Sequence, residues 1–245
     1  LNRGEYDIAV QYGERARDLE PENVAARSLV TVAYVWSGRD DLGELELGSL
    51  RPMVPQTPTE RLLKAYAILS YDQDGSKRLL EDSPSVKRSP VGLVIQGFQH
   101  LTEGWKDGNR EAAEKAIQDF GYVRFFFNEN PASVHFQLSA LELGIRLAKA
   151  DGRNQDVDRY QKLGRELAER LAKVDGYPAG DWSRQMFYLT IGEEQQAWQA
   201  IRRVGQHPGT YSWFLATHCL ERYGVDAMEE FDRAIAQEHK ESKYI

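Results

Sequence analysis

Residues 4–38 read GEYDIAVQYGERARDLEPENVAARSLVTVAYVWSG, and this stretch decides the fold class. A glycine opens it. Ile8, Ala9, Tyr12, Ala16 and Leu19 then recur at three and four residues, which is one face of a helix over about Glu5–Leu19. Pro21 stops that helix, because proline lacks the N–H and clashes with the preceding turn. A second helix over about Asn23–Ser37 sets Ala26, Val30, Ala33 and Tyr34 on one side and ends at Gly38. The stretch is a helix–turn–helix unit of about 34 residues, and the rest of the chain repeats it with variations.

Punctuation carries the repeat onward. Gly4, Gly38, Gly75, Gly108, Gly152, Gly192 and Gly224, roughly 32–44 residues apart, are placed to turn the chain inside successive hairpins. All nine prolines (Pro21, Pro52, Pro55, Pro58, Pro84, Pro90, Pro131, Pro178 and Pro208) fall between the proposed hairpins. The remaining helices are expected at Asp41–Leu50, Pro58–Tyr71, Lys77–Glu81, Val91–Trp105, Arg110–Phe127, Ala132–Ala150, Gln155–Val174, Trp182–Thr190, Glu193–Val204, Tyr211–Tyr223 and Ala227–Gln237. Thr57-Pro58-Thr59-Glu60 is a helix start. Ser83–Pro90, with two Ser-Pro pairs, reads as a solvated linker, or alternatively as a phosphorylation site. Ala112, Ala113, Ala116, Ile117 and Phe120 make one packed face, and Val157, Tyr160, Leu163, Leu167 and Leu171 another. Phe125-Phe126-Phe127 is expected in the core, with a local binding surface as the alternative. Alternation of apolar and polar residues, the mark of a strand, never lasts. The fold class is all-α, a single domain over 1–245 built as an α-α superhelix of about seven hairpins.

Composition narrows the function. A chain of 245 residues with 41% hydrophobic and 28% charged residues can bury a core. A net charge of −7 does not argue for a nucleic-acid partner, which needs a basic face. A single cysteine, Cys219, excludes an internal disulfide and a cysteine-only zinc site, and fits the cytoplasm. No apolar run is long enough to span a membrane. His100, His135, His207, His218 and His239 are scattered, with no HExxH spacing, so no metal site and no cofactor are expected. GxGxxG, P-loop and GxSxG motifs are absent, and the acidic pairs Asp40-Asp41 and Glu193-Glu194 sit at helix starts, where the helix dipole favours them. No residue set is assigned a catalytic role, and the segment is read as not an enzyme.

The first unit resembles a tetratricopeptide repeat. Gly4, Tyr6, Ala9, Ala16 and Pro21 follow the family's order, and Tyr34 and Gly38 its second half. Gly192, Ala197 and Pro208 repeat the skeleton, as do Ala227, Phe231 and Ala234, with a fragment at Gly108 and Ala113. The units at Gly38–Gly75 and Gly108–Gly192 depart from the family in length, and its early tryptophan is missing from the unit opening at Val24. The small residues allow helices to approach closely, so a bulky residue at Ala9 is expected to destabilise by roughly 1–3 kcal/mol. A second likeness, of Pro55–Tyr66 and the EAAEKAIQDF stretch, is to the repeat-bearing tail of some bacterial serine/threonine kinases, although HRD and DFG are absent. Because the motif is entered partway at Leu1, the chain reads as a piece of a longer protein.

The tetratricopeptide likeness implies a concave face lined by the first helix of each pair, holding a partner protein or peptide. Mapped here, that face carries Ser28, Val32, Val35 and Trp36, then Phe98, Thr102 and Trp105, then Trp182, Met186 and Leu189, with packing against the adjoining hairpin as the alternative reading for each. The stripe is apolar and aromatic. Family members that clamp a carboxylate use lysine and asparagine there, whereas Ser28 and Val32 stand at two such positions, so apolar anchoring is expected instead. The alternatives are a regulatory region attached to a kinase, or a pocket inside the superhelix serving an enzyme or a small-ligand sensor.

Overall fold

The computed structural model describes residues 6–37, 39–69, 71–175 and 177–205, all of it helices and their connections, with no strand among the described residues. The chain divides into two compact units, Leu1–Glu129 and Asn130–Ile245, each considered by itself. The helices expected at Tyr211–Tyr223 and Ala227–Gln237 lie outside the described residues, with Gly4, Gly38, Gly224, Pro208 and Cys219.

The first unit holds α1 (Tyr6–Leu19), α2 (Val24–Trp36), α3 (Asp40–Leu50), α4 (Pro58–Ile68), α5 (Gln73–Glu81), α6 (Pro84–Lys87), α7 (Pro90–Asp107) and α8 (Arg110–Phe126). The second holds α9 (Pro131–Ala150), α10 (Asn154–Leu171), α11 (Pro178–Ile191) and α12 (Glu194–Gly205). The helix starts are written in the sequence. Asn23, Asn109 and Asn130 accept from the backbone N–H three residues on. Thr57 and Glu60 close both halves of a capping box. Pro58, Pro84, Pro90, Pro131 and Pro178 each sit in a first helical turn, where the missing N–H would be unbonded anyway.

Gly108, Gly152 and Gly192 turn the chain as expected, with φ of 61°, 69° and 83°, in the left-handed region that a Cβ disfavours. Gly75 does not. It lies inside α5, where its N–H donates to the capping carboxylate of Asp72. A Cβ there would overlap that carboxylate, so the glycine makes room for a cap and not for a turn. The linker expected at Ser83–Pro90 is corrected too. Pro84–Lys87 is helical, and Val86 is buried with Ala65, Leu69, Leu80 and Ile95. The Ser89 hydroxyl donates to the Val86 carbonyl at 2.6 Å and accepts from Gly92 N–H at 3.0 Å, capping α7. Ser89→Ala is therefore expected to lower stability by about 1 kcal/mol, read as a shift in the urea midpoint.

Helices pack in chain order. In the first unit α1 packs on α2, α2 on α3 and α4, α4 on α5 and α7, and α7 on α8. In the second α9 packs on α10 and α11, and α11 on α12. The first unit's core is a chain of small clusters. Val10, Val30, Ala33 and Tyr34 join α1 to α2, and Val24, Val32, Leu47, Leu50, Ala67 and Ile68 join α2, α3 and α4. The Ala65–Ile95 cluster continues to α7, where Phe98 meets Phe120 of α8 edge-on at 5.2 Å. Glycine sets the close approaches: a Cβ on Gly97 would stand 2.6 Å from the Phe120 ring.

The face of α1 is the largest departure from expectation. Its buried side carries Val10 and Gly13, with Gly13 against Val30 of α2. Ile8, Tyr12, Ala16 and Leu19 are exposed. At 100° per residue Ile8, Tyr12 and Leu19 lie opposite Val10. The helix has two apolar stripes, and the one containing the small residue that lets backbones approach is the one that packs.

Candidate functional site

The residues mapped to a concave face divide between sealed and open positions. On α2, Ser28 is buried and donates to its own helix at Val24 O, 2.7 Å away, and Val32 is buried against the Leu47–Ile68 cluster. Neither can touch a partner as the chain stands. Val35 is half-buried, and the side chain of Trp36 is outside the described residues. Among the described side chains of this helix the exposed one is Leu29, one position from the expected stripe. On α7, Phe98 is half-buried on Phe120, and Thr102 donates to Phe98 O at 2.9 Å while accepting from Gln73 Nε2 at 3.1 Å. Trp105 is exposed. Helix α4 touches both α2 and α7, so its residues separate the two sets. In the second unit Trp182 and Met186 are half-buried and Leu189 is buried. The corrections at Ser28, Val32 and Leu189 share a cause. Helix α2 is touched by α1, α3 and α4, and α11 by α9, α10 and α12, so an apolar stripe on either is mostly core.

The aromatic run at the end of α8 goes the other way. Phe125 is 81% exposed, Phe126 56% and Tyr122 61%. Their spacing of three and four residues puts them on one face, away from the buried Ala112, Ala113, Ala116, Phe120 and Val123. The Phe125 and Phe126 rings meet edge-on at 6.0 Å. The core placement expected for Phe125 and Phe126 is thus overturned. The buried positions of α8 were already filled by alanine and Phe120, which leaves the two rings on the solvent side.

Several buried polar groups are satisfied by other side chains. Glu46 of α3, itself buried, accepts from Arg17 of α1 at 2.9 Å and from Arg27 of α2. In the second unit Thr190 donates to Glu142 at 2.7 Å, and Asp181 pairs with Arg184 at 2.6 Å and Arg203 at 3.2 Å. Ser183 Oγ and His135 Nδ1 are 2.6 Å apart, and Ser139 Oγ is 3.0 Å from Ser183 Oγ. A serine beside a histidine is the geometry of an activated nucleophile. Here the serine is buried between α9 and α11, so the pair joins two helices. Although part of His135 reaches the surface, its ring is crowded by Phe136 and Tyr177. Burial pushes its pKa down to about 4, against a weaker opposing hydrogen bond to the Ala179 backbone. The folded chain therefore holds the ring neutral, and the unfolded chain binds the proton first as pH falls. Stability from this residue is fully present above about pH 6.5 and is lost progressively between there and about pH 4, by up to roughly 3 kcal/mol. Urea unfolding at both ends of that window checks this: His135→Asn should show a smaller drop than the parent chain.

Among the described residues no three metal-ligating side chains gather, and no helix is long and apolar enough to cross a membrane. Set against known proteins, the chain matches no family model, no curated protein and no solved structure.

Proposed function

We propose that the chain is a non-catalytic scaffold of tetratricopeptide-like hairpins that binds a protein or peptide through apolar and aromatic anchors. Helical pairs touching in chain order within each unit support the architecture. The observation that carries the function is the open aromatic face of α8. Phe125, Phe126 and Tyr122 hold large rings in water, and exposed clusters of that kind mark binding surfaces. Aromatic side chains also bring large contact area and are enriched among the residues that dominate binding. Trp105, with the half-buried Trp182 and Met186, remains a candidate anchor from the tetratricopeptide mapping, whereas Ser28, Val32 and Leu189 are buried. Selection from a random peptide display library tests the reading. Enriched peptides are expected to carry spaced aromatic or aliphatic anchors, and their capture to weaken in Phe125→Ser, Phe126→Ser, Trp105→Ala or Trp182→Ala. Failure to enrich any peptide, or turnover of a substrate by the purified chain, would overturn it.

A further inference from the structure

A pocket of about 180 Å³ opens among α3, α4 and α5, lined by Arg51, Lys64, Ile68, Asp72, Gly75 and Leu79. That volume is about six waters' worth, enough for a small functional group with a short apolar body. Lys64 is only 7% exposed. Its ammonium donates to the carbonyls of Arg51, at 2.9 Å, and Met53, closing off the end of α3. An ammonium has three donors, and the third has no acceptor among the described residues. Neither Lys64 nor Arg51 forms an ion pair among the described residues, and Asp72 is occupied by the Gly75 N–H of its own cap. The lining thus holds two cations and one carboxylate, a local surplus of positive charge on a chain of net charge −7. Burial without an acidic partner also pushes the Lys64 pKa below the ordinary lysine value. Ile68 and Leu79 supply an apolar wall beside the two cations.

We propose that this pocket binds a small organic monocarboxylate, either a free acid or the carboxyl end of a peptide, with Lys64 and Arg51 on the carboxylate and Ile68 and Leu79 on the apolar group next to it. A carboxylate supplies the acceptor that the third Lys64 donor lacks, and charge-assisted hydrogen bonds of this kind are the strong ones. Asp72, which also lines the pocket, repels a second negative charge, so the site favours a monoanion over a phosphate dianion. The site does not depend on the aromatic face of α8, and its test is separate.

The test is an NMR titration of the full chain, following backbone amides, with N-acetyl-leucine, N-acetyl-leucinamide, inorganic phosphate and a pentapeptide ending in leucine with free and amidated carboxyl ends. N-acetyl-leucine is expected to give saturable shifts around Arg51–Met53 and Asp72–Gly75, with a Kd of roughly 1 mM or tighter. Its amide and phosphate should bind at least about tenfold more weakly. Arg51→Gln, at an exposed position, should weaken the acid about tenfold, and Lys64→Met should abolish binding. Binding of N-acetyl-leucine should also raise the Lys64 pKa. A free-ended peptide binding about tenfold tighter than N-acetyl-leucine assigns the carboxyl end of a peptide, and equal affinity assigns a free acid. No saturable shift with any acid, equal binding of N-acetyl-leucinamide or phosphate, or an affinity unchanged in Arg51→Gln would overturn the proposal. If Lys64→Met does not fold, Arg51→Gln and the amide decide the matter. Phe125→Ser should leave this binding untouched, so the site and the scaffold reading succeed or fail apart.

Discussion

Phe187→Ala is expected to lower the stability of the chain by roughly 3–5 kcal/mol, the range for deleting a fully buried ring. Phe187 is 0% exposed and lies on α11, with its ring against Gly164 of α10. A Cβ on Gly164 would overlap that ring, so the glycine and the phenylalanine are fitted to each other. Gly164→Ala should accordingly destabilise by about 1–3 kcal/mol, despite the better helix propensity of alanine. In Gly164→Ala with Phe187→Leu, the added methyl gains the space vacated by the ring. The double variant should then be more stable than the sum of the single effects allows, because residues in contact couple. Urea unfolding with an unchanged m-value, applied to Phe187→Ala, Gly164→Ala, Phe187→Leu and the double variant, measures these effects. Losses that simply add would mean that α10 and α11 do not meet at this point.

Phe125→Ser and Phe126→Ser should have the largest functional effect. Each should weaken a selected peptide at least about 30-fold, corresponding to about 2 kcal/mol or more for an anchor residue. Stability should change by no more than about 0.5 kcal/mol, since neither ring is buried in the free chain. The contrast with Phe187 is the informative part. Phe187 fills a core beside a glycine, whereas Phe125 and Phe126 stand in water on the face proposed to bind a partner. Variants at both positions, measured for folding and for binding, separate the two roles.

The helices themselves were legible because helix boundaries are local chemistry. The Thr57–Glu60 capping box, the prolines in first turns and the glycines at Gly108, Gly152 and Gly192 each act within a few residues. Gly75 shows the limit of that locality. A glycine that turns the chain and one that makes room for the Asp72 cap look alike in sequence. Which stripe of a helix packs was less legible, because α1 carries two. Ile8, Tyr12 and Leu19 are the more apolar set, but Gly13 decides the matter by letting Val30 come close. The candidate surface was least legible. Periodicity marks an apolar face without saying whether another helix covers it, so Ser28 and Val32, which could be groove or packing residues, are sealed, while Phe125 and Phe126, expected in the core, are open. The buried polar contacts were hidden for another reason. His135 and Ser183, or Glu142 and Thr190, stand 48 residues apart and meet only when α9 and α11 do.

The most direct test of the scaffold reading is hydroxyl-radical footprinting of the folded chain with and without a selected peptide. The prediction is that Tyr122, Phe125 and Phe126 react readily in the free chain and are protected in the complex, with Phe187 unreactive in both. A peptide that binds while these three rings react as before would contradict the assignment of α8 as the docking face.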